Sequence, residues 1–165
     1  INKRNVIGFE DTGLSVNKGW HSFLELNRLA FDDYLPKNSE SRCIAISIRI
    51  IKKKAPHIKW ILSYADGTQC GDGTIYRASG FKLCGINKNS TIYKLSNGAT
   101  KAKHGTSKSD FTGAVKLPGN QLRYIYLIDQ SCKITLPIID FREIDKLGAG
   151  MYKGEKVTRV ERMGK

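Results

Sequence analysis

Three groups of residues have the types and spacing to do chemistry. Lys37, Asn38, Ser39, Ser41 and Arg42 crowd one turn, directly ahead of a segment that reads as a helix. The first amides of a helix have no acceptor within it. Hydroxyls and cations beside those amides therefore make a site for an anion such as a phosphate. The plainer reading is that Asn38 or Ser39 is an N-cap and no more. Asp66 follows an apolar strand and should emerge at its carboxyl edge, where open α/β sheets place ligands and a carboxylate can take a proton. Asp66-Gly67 is equally a turn signal. Tyr76 stands on a short helix, where a phenol either donates a proton or packs on the core. Asn27 and Arg28 on one strand, and Ser63 and Tyr64 on another, are polar residues near these groups. Strand alternation sends the two members of each pair to opposite faces, so at most one of each meets a site directly.

The elements that must position these groups follow from periodicity. Residues 22–31 read as a strand, with a shorter one at residues 5–9 ahead of it. Residues 32–39 read as a loop closed by Pro36. Ile44, Ile46, Ile48 and Ile50 alternate as in a strand, yet Ile44, Ile48 and Ile51 also fit helical spacing. Glu40 in the first turn, Lys52 to Lys54 in the last and Pro56 beyond favour a helix over residues 40–55. Lys59 to Ala65 is a buried strand by apolar density. Residues 73–79 form a short helix that ends at Gly80, a natural stop. Strands are expected at 81–85, 90–95 and 122–129. Residues 97–112, rich in Gly and Lys, read as an exposed loop. This succession is an α/β (α+β) pattern with a mixed central sheet flanked by helices. By length the chain is a single domain, here bounded at 1–147, with a basic tail over 148–165. The opening Ile1 suggests a trimmed fragment whose sheet lacks its N-terminal part.

Charge restricts the partner. The chain has 28 Lys and Arg against 15 Asp and Glu, a net +13 in 165 residues. Such an excess costs self-repulsion and points to a polyanion. Lys101, Lys103 and Lys108, with His104, sit on the Gly-punctuated loop and could follow a nucleic-acid backbone. Lys52, Lys53, Lys54 and Lys59 form a second basic cluster, and either cluster is equally a solvated face. No apolar run approaches the roughly 18 residues a membrane span needs. Cys43, Cys70, Cys84 and Cys132 form no CxxC pair and only three histidines accompany them, which argues against a closed zinc site. Reduced thiols in a cytoplasm are the expectation.

Two resemblances sharpen this reading. Tyr76 followed by Gly80-Phe81, on a short helix after a buried strand, resembles the Tyr-x-x-x-Gly-Phe segment of GNAT acyltransferases. That resemblance implies an acyl-coenzyme A donor such as acetyl-CoA, held at residues 37–42, and Tyr76 as the acid that protonates the departing thiolate. A phenol near pKa 10 can serve a thiol near 8.5 if it is within hydrogen-bond reach. The usual Arg/Gln-x-x-Gly-x-Gly/Ala phosphate loop of that family is replaced here by Lys37-Asn-Ser-Glu-Ser-Arg42, which brings Glu40 close to the anion. More specifically, five segments look like the Mom-type DNA-modification proteins of phages, which are related to GNAT proteins. These are Glu25-Leu-Asn-Arg-Leu29, Leu35-Pro-Lys-Asn-Ser-Glu-Ser-Arg42, Leu62-Ser-Tyr-Ala-Asp66, Gly73-Thr-Ile-Tyr76 and Arg123-Tyr-Ile-Tyr126. The family's Gly-His stands here as Cys70-Gly-Asp72, so no metal site is carried over.

What this second resemblance implies is a transferase that alters the N6 amino group of adenine in double-stranded DNA, shielding phage DNA from restriction in the host cytoplasm. Tyr76 would be its general acid and Asp66 its base or orienting group, because that amino group is a poor nucleophile. Two alternatives stay open: a GNAT acetyltransferase acting on tRNA or a protein amine, and a non-catalytic basic module that binds nucleic acid. The oligomeric state is not set by the sequence.

Overall fold

The computed structural model describes residues 9–10, 21–32, 34–66, 72–88, 92–102, 111–117, 119–146, 151–152 and 155–156. The elements in chain order are β1 (Phe9–Glu10), β2 (Phe23–Leu26), α1 (Ser39–Lys54), β3 (Trp60–Asp66), α2 (Thr74–Ala78), β4 (Lys82–Lys88) and β5 (Ile92–Lys94). They are followed by β6 (Thr100–Ala102), β7 (Val115–Lys116), β8 (Asn120–Leu127), β9 (Lys133–Ile134), α3 (Arg142–Asp145), β10 (Met151–Tyr152) and β11 (Glu155–Lys156). This is an α+β arrangement. The chain forms two compact units: Ile1–Tyr64, Thr74–Gly85 and Arg123–Phe141 make the first, and Ala65–Gly73, Ile86–Leu122 and Arg142–Lys165 the second.

The main sheet has the order β2-β3-β8-β4. It is mixed, as the sequence pattern suggests. β2 and β3 run parallel, with Phe23 beside Trp60 and Leu26 beside Ser63. β8 ends where β3 begins: the amides of Ile128 and Asp129 both donate to the Lys59 carbonyl, at 2.8 and 2.9 Å, so those two strands run in opposite directions. Lys59 also bonds the Asp129 carboxylate at 2.9 Å, fastening the same corner. In the first unit, one cluster buries Trp60, Leu62, Cys84 and Ile125, with Phe23 stacked on Trp60 at 4.5 Å. Removing a side chain of this size from water contributes on the order of 1.5–3 kcal/mol.

The isoleucine run is a helix, and burial shows why. Ile44 and Ile48 are 4% and 6% exposed, whereas Ile46 and Ile50 are 48% and 56% exposed. A strand facing one core would bury all four; a helix buries only every fourth residue here. Lys52, Lys53 and Lys54 end α1, where cations complement the helix dipole.

Two expectations are corrected. The strand predicted over 22–31 stops at Leu26, so Asn27 and Arg28 lie beyond it and both are exposed; alternation does not decide where they face. The predicted loop over 97–112 contains a strand, β6, which pairs antiparallel with β5. Asn97 and Gly98 turn this hairpin. Gly98 has φ 82°, and the Leu95 amide donates to the Ala99 carbonyl at 2.8 Å. Asn-Gly is the strongest local hairpin signal, and the polar residues around it mask the strand that follows. β7 completes a three-stranded sheet of order β6-β5-β7 in the second unit. The predicted tail holds the paired strands β10 and β11, and of the strand predicted over 5–9 only Phe9 is described.

Candidate active site

Tyr76 owes its position to the way α2 ends. The Phe81 amide donates to the Tyr76 carbonyl at 3.0 Å and the Gly80 amide to the Arg77 carbonyl at 3.1 Å, with Gly80 at φ 83°. These two bonds, spanning six and four residues, define a Schellman stop, which commonly brings the residues at its two ends into apolar contact. Here those residues are Tyr76 and Phe81, and their rings lie 5.5 Å apart. The Tyr-x-x-x-Gly-Phe spacing is thus, first, the spacing of a helix terminator. Tyr76 also packs on the fully buried Tyr124 at 5.3 Å, and Arg77 lies over the Phe141 ring at 5.0 Å.

Phe81 leads from Tyr76 to a cleft. A cavity of about 140 Å³ is lined by Leu24, Leu26, Ile44, Ile48, Ile61 and Phe81, with Cys43 and Ser47 of α1 at its edge. Such a space admits a thin chain or a small acyl group, not a nucleobase with its sugar. α1 and α2 pack against each other, so the structure brings together the two segments singled out from the sequence.

The N-terminus of α1 differs in detail from the expected anion site. Asn38 adopts φ 70° and makes no capping bond with its side chain. The Ser39 and Ser41 hydroxyls donate backwards, to the Pro36 carbonyl at 2.6 Å and the Asn38 carbonyl at 3.1 Å. Their protons are therefore committed locally and do not converge on a ligand. The Ser39 amide turns to Pro36 and the Arg42 amide to Asn38. Among the described residues this leaves the amides of Glu40 and Ser41 without an acceptor. With the exposed Lys37 and Arg42 these are the groups here that could hold a phosphate, and the Glu40 carboxylate stands among them.

The remaining candidates separate. Ser63 is fully buried and its hydroxyl donates to the Leu26 carbonyl at 2.8 Å, tying β3 to β2. Asp66 closes β3 at its carboxyl end, and belongs to the second unit whereas Tyr76 belongs to the first. Lys101 lies on β6; Lys103 and Lys108 lie outside the described residues. Among the described residues no three His, Cys, Asp or Glu side chains are grouped as metal ligands, and no helix is long and apolar enough to cross a membrane.

Tyr64 belongs to a polar group that sequence reasoning did not assemble. Burial pushes its phenol above the ordinary value near 10, the Arg123 guanidinium opposes that shift, and Glu25 adds to it. Glu25 lies beside Leu62 in register, two residues before Tyr64, so all three share a sheet face. Burial likewise raises the Cys84 thiol, again against Arg123. Arg123 donates from Nη2 to the Cys84 carbonyl at 3.2 Å, while its Nε is buried without a hydrogen-bond partner. Its guanidinium lies across Gly85, where a Cβ would stand 3.1 Å from both Nε and Nη2. The available signal was an arginine inside the otherwise apolar run from Leu122 to Leu127.

With this geometry in view, comparison with known proteins gives a definite result. The model of the Mom protein family matches residues 9–143. The chain belongs to the Mom family. Over 74 residues it is 40% identical to methylcarbamoylase mom of Escherichia phage Mu, a match covering 44% of this chain and 30% of the phage Mu protein. The matched Mom region contains β2, α1, β3, α2 and β8, and with them every segment that carried the resemblance in sequence.

Proposed function

We propose that this chain carries the catalytic part of a DNA-modifying transferase whose acceptor is the N6 amino group of adenine and whose donor is an acyl-coenzyme A-type carrier. Membership of the Mom family supports the class, and the name of the phage Mu relative, methylcarbamoylase, supports a carbonyl-bearing group as the one transferred. The observation that carries the reading within the fold is the contact of Tyr76 with Phe81, the wall of the cleft beside α1.

When bound, the carrier would supply an activated carbonyl carbon for attack by the amino group. Lys37, Arg42 and the amides of Glu40 and Ser41 would hold its phosphates. Cys43, Ser47 and the apolar wall would line the path of its narrow arm. Tyr76 would donate its phenol proton to the sulfur released from the carrier, and the proton shed by the N6 amino group would pass to solvent. Base chemistry requires the adenine to leave the stack, at a cost of a few kcal/mol. The net +13 charge supplies the attraction that holds DNA meanwhile.

Mass spectrometry of deoxynucleosides from the DNA of bacteria expressing this chain is the direct test. A heavier deoxyadenosine that disappears with Tyr76→Phe is expected. Unmodified DNA from cells holding folded, soluble protein would overturn the reading.

A further inference from the structure

The first unit holds a second cavity, of about 380 Å³, where β8 ends and β4 begins. That volume falls in the range of roughly 300–1,000 Å³ typical of ligand pockets, which the cleft beside α1 does not reach. Phe81 links the two spaces. It lines the cleft, and its ring lies 5.3 Å from that of Tyr126, which lines the cavity. A transferase acting on a base needs such a second space, because the cleft is too small for a nucleobase with its sugar.

The lining has the chemistry of a nucleotide site. Lys82 and Lys133 are its charged members, both exposed, and among the described residues no carboxylate lines it. A phosphate there meets attraction alone. Tyr126 contributes a half-buried ring, a surface on which a base can stack. Ile138, also in the lining, is 61% exposed, an apolar side chain that a bound base would cover. Gln130 supplies direction. Its amide nitrogen donates to the Leu127 carbonyl at 2.9 Å, which uses one of its two N–H groups and holds the side chain. The other N–H and the carbonyl oxygen remain as an adjacent donor and acceptor, the pair with which glutamine bonds adenine. An amino group held by that oxygen through one hydrogen keeps its second hydrogen for exchange.

We infer that this cavity binds an adenine nucleotide, with Gln130 on the base edge, Tyr126 on the base face, and Lys82 and Lys133 on the phosphates. This rests on the proposed function only for the choice of adenine among the amino-bearing bases. Two sources offer that nucleotide: the one extruded from DNA, and the nucleoside end of a coenzyme A-type carrier.

Fluorescence anisotropy of the full chain with labelled short oligothymidylates, one of them carrying a single adenine, tests the inference without any turnover. The adenine-bearing strand should bind roughly 5- to 150-fold more tightly than thymines alone, and Gln130→Leu should erase that preference. Lys82→Gln/Lys133→Gln should weaken both strands alike. It should lower the slope of log K against log salt by about 1.4, the share of two phosphates on a single strand. Tyr126→Leu should weaken binding roughly 5- to 150-fold with an unchanged slope, and Tyr126→Phe, which keeps the ring, should bind as the parent does. Cys132 lines the same cavity as a free thiol, so a bound nucleotide should slow its alkylation by iodoacetamide several-fold. Protection by the adenine-bearing strand assigns the cavity to DNA, and protection by coenzyme A alone assigns it to the carrier. Protection by neither, no adenine preference in the parent, or a preference untouched in Gln130→Leu overturns the inference. A cytosine-bearing strand that binds more tightly overturns the choice of adenine. A Gln130-dependent adenine preference without modified deoxyadenosine in cells would overturn the proposed function and leave this inference standing.

Discussion

The Tyr76 carbonyl accepts the Phe81 amide at 3.0 Å while the two rings meet at 5.5 Å. One backbone bond thus sets both the end of α2 and the place of its tyrosine. The spacing of a glycine and an aromatic after Tyr76 is needed whether or not the phenol does chemistry, because Gly80 must enter the left-handed region for the chain to turn.

Gly80→Ala should therefore lower stability by about 1–2 kcal/mol, the cost of a Cβ in that region. Space does not contribute, since the new Cβ would stand 3.6 Å from Tyr126 Cε2, an ordinary contact. Urea titration measures the loss, and Gly80→Asn should recover part of it because Asn tolerates φ near 83° better than Ala. Equal losses for the two variants would mean that the strain does not lie at φ.

Substitution at Tyr76 separates packing from chemistry. Tyr76→Phe keeps the ring against Phe81 and Tyr124, so its stability should stay within about 0.5 kcal/mol of the parent while DNA modification is lost. Tyr76→Ala removes the ring from a partly buried place and should cost about 2–4 kcal/mol. If Tyr76→Phe modifies DNA at the parent rate, the phenol takes no part in proton transfer.

Arg123 works against burial at Tyr64. With Arg123→Met the aliphatic volume remains and the opposing charge goes, so the Tyr64 pKa should rise further; Glu25→Gln should lower it. An NMR titration with ring-labelled tyrosine reads both directions. The raised values also give the protein an alkaline limit. The native state holds the Tyr64 and Cys84 protons more tightly than the unfolded chain does. Their contribution is whole below the unfolded values, near 10 and 9, and is lost as pH rises through the folded ones. Stability that stayed flat from pH 8 to about 11 would contradict the burial of these two groups.

Legibility in the sequence divides by range. The end of α2 at Gly80, the helical reading of α1 from its caps and lysines, and the burial of β3 are set by residues within one element. All were readable, although the alternating isoleucines alone could not choose between helix and strand. β6 was not readable as a strand, because Thr100, Lys101 and Ala102 are strand-forming only through their pairing with β5. The anion site was half readable: the spacing placed Ser39 and Ser41 at the turn, but nothing local showed that their hydroxyls would bond backwards to Pro36 and Asn38. The Arg123 group draws on β2, β3, β4 and β8, and a half-buried arginine whose partners lie on other strands leaves only its own improbability as a signal.

Two thiols of the first unit, Cys43 and Cys84, should report on the cleft. Cys43 is exposed at the cleft edge and Cys84 is buried with a raised pKa. Alkylation follows thiolate access, so iodoacetamide at pH 8 should modify Cys43 well before Cys84. Peptide mapping by mass spectrometry gives the two rates separately. An acyl-coenzyme A lodged between α1 and β2 would cover the Cys43 thiol and slow its modification several-fold, with the Cys84 rate unchanged. Lys37→Gln/Arg42→Gln should abolish that protection by removing two cations from the donor set at the start of α1. Protection that persists in this variant would place the carrier's phosphates elsewhere, and no protection at saturating carrier would remove the cleft as its binding site.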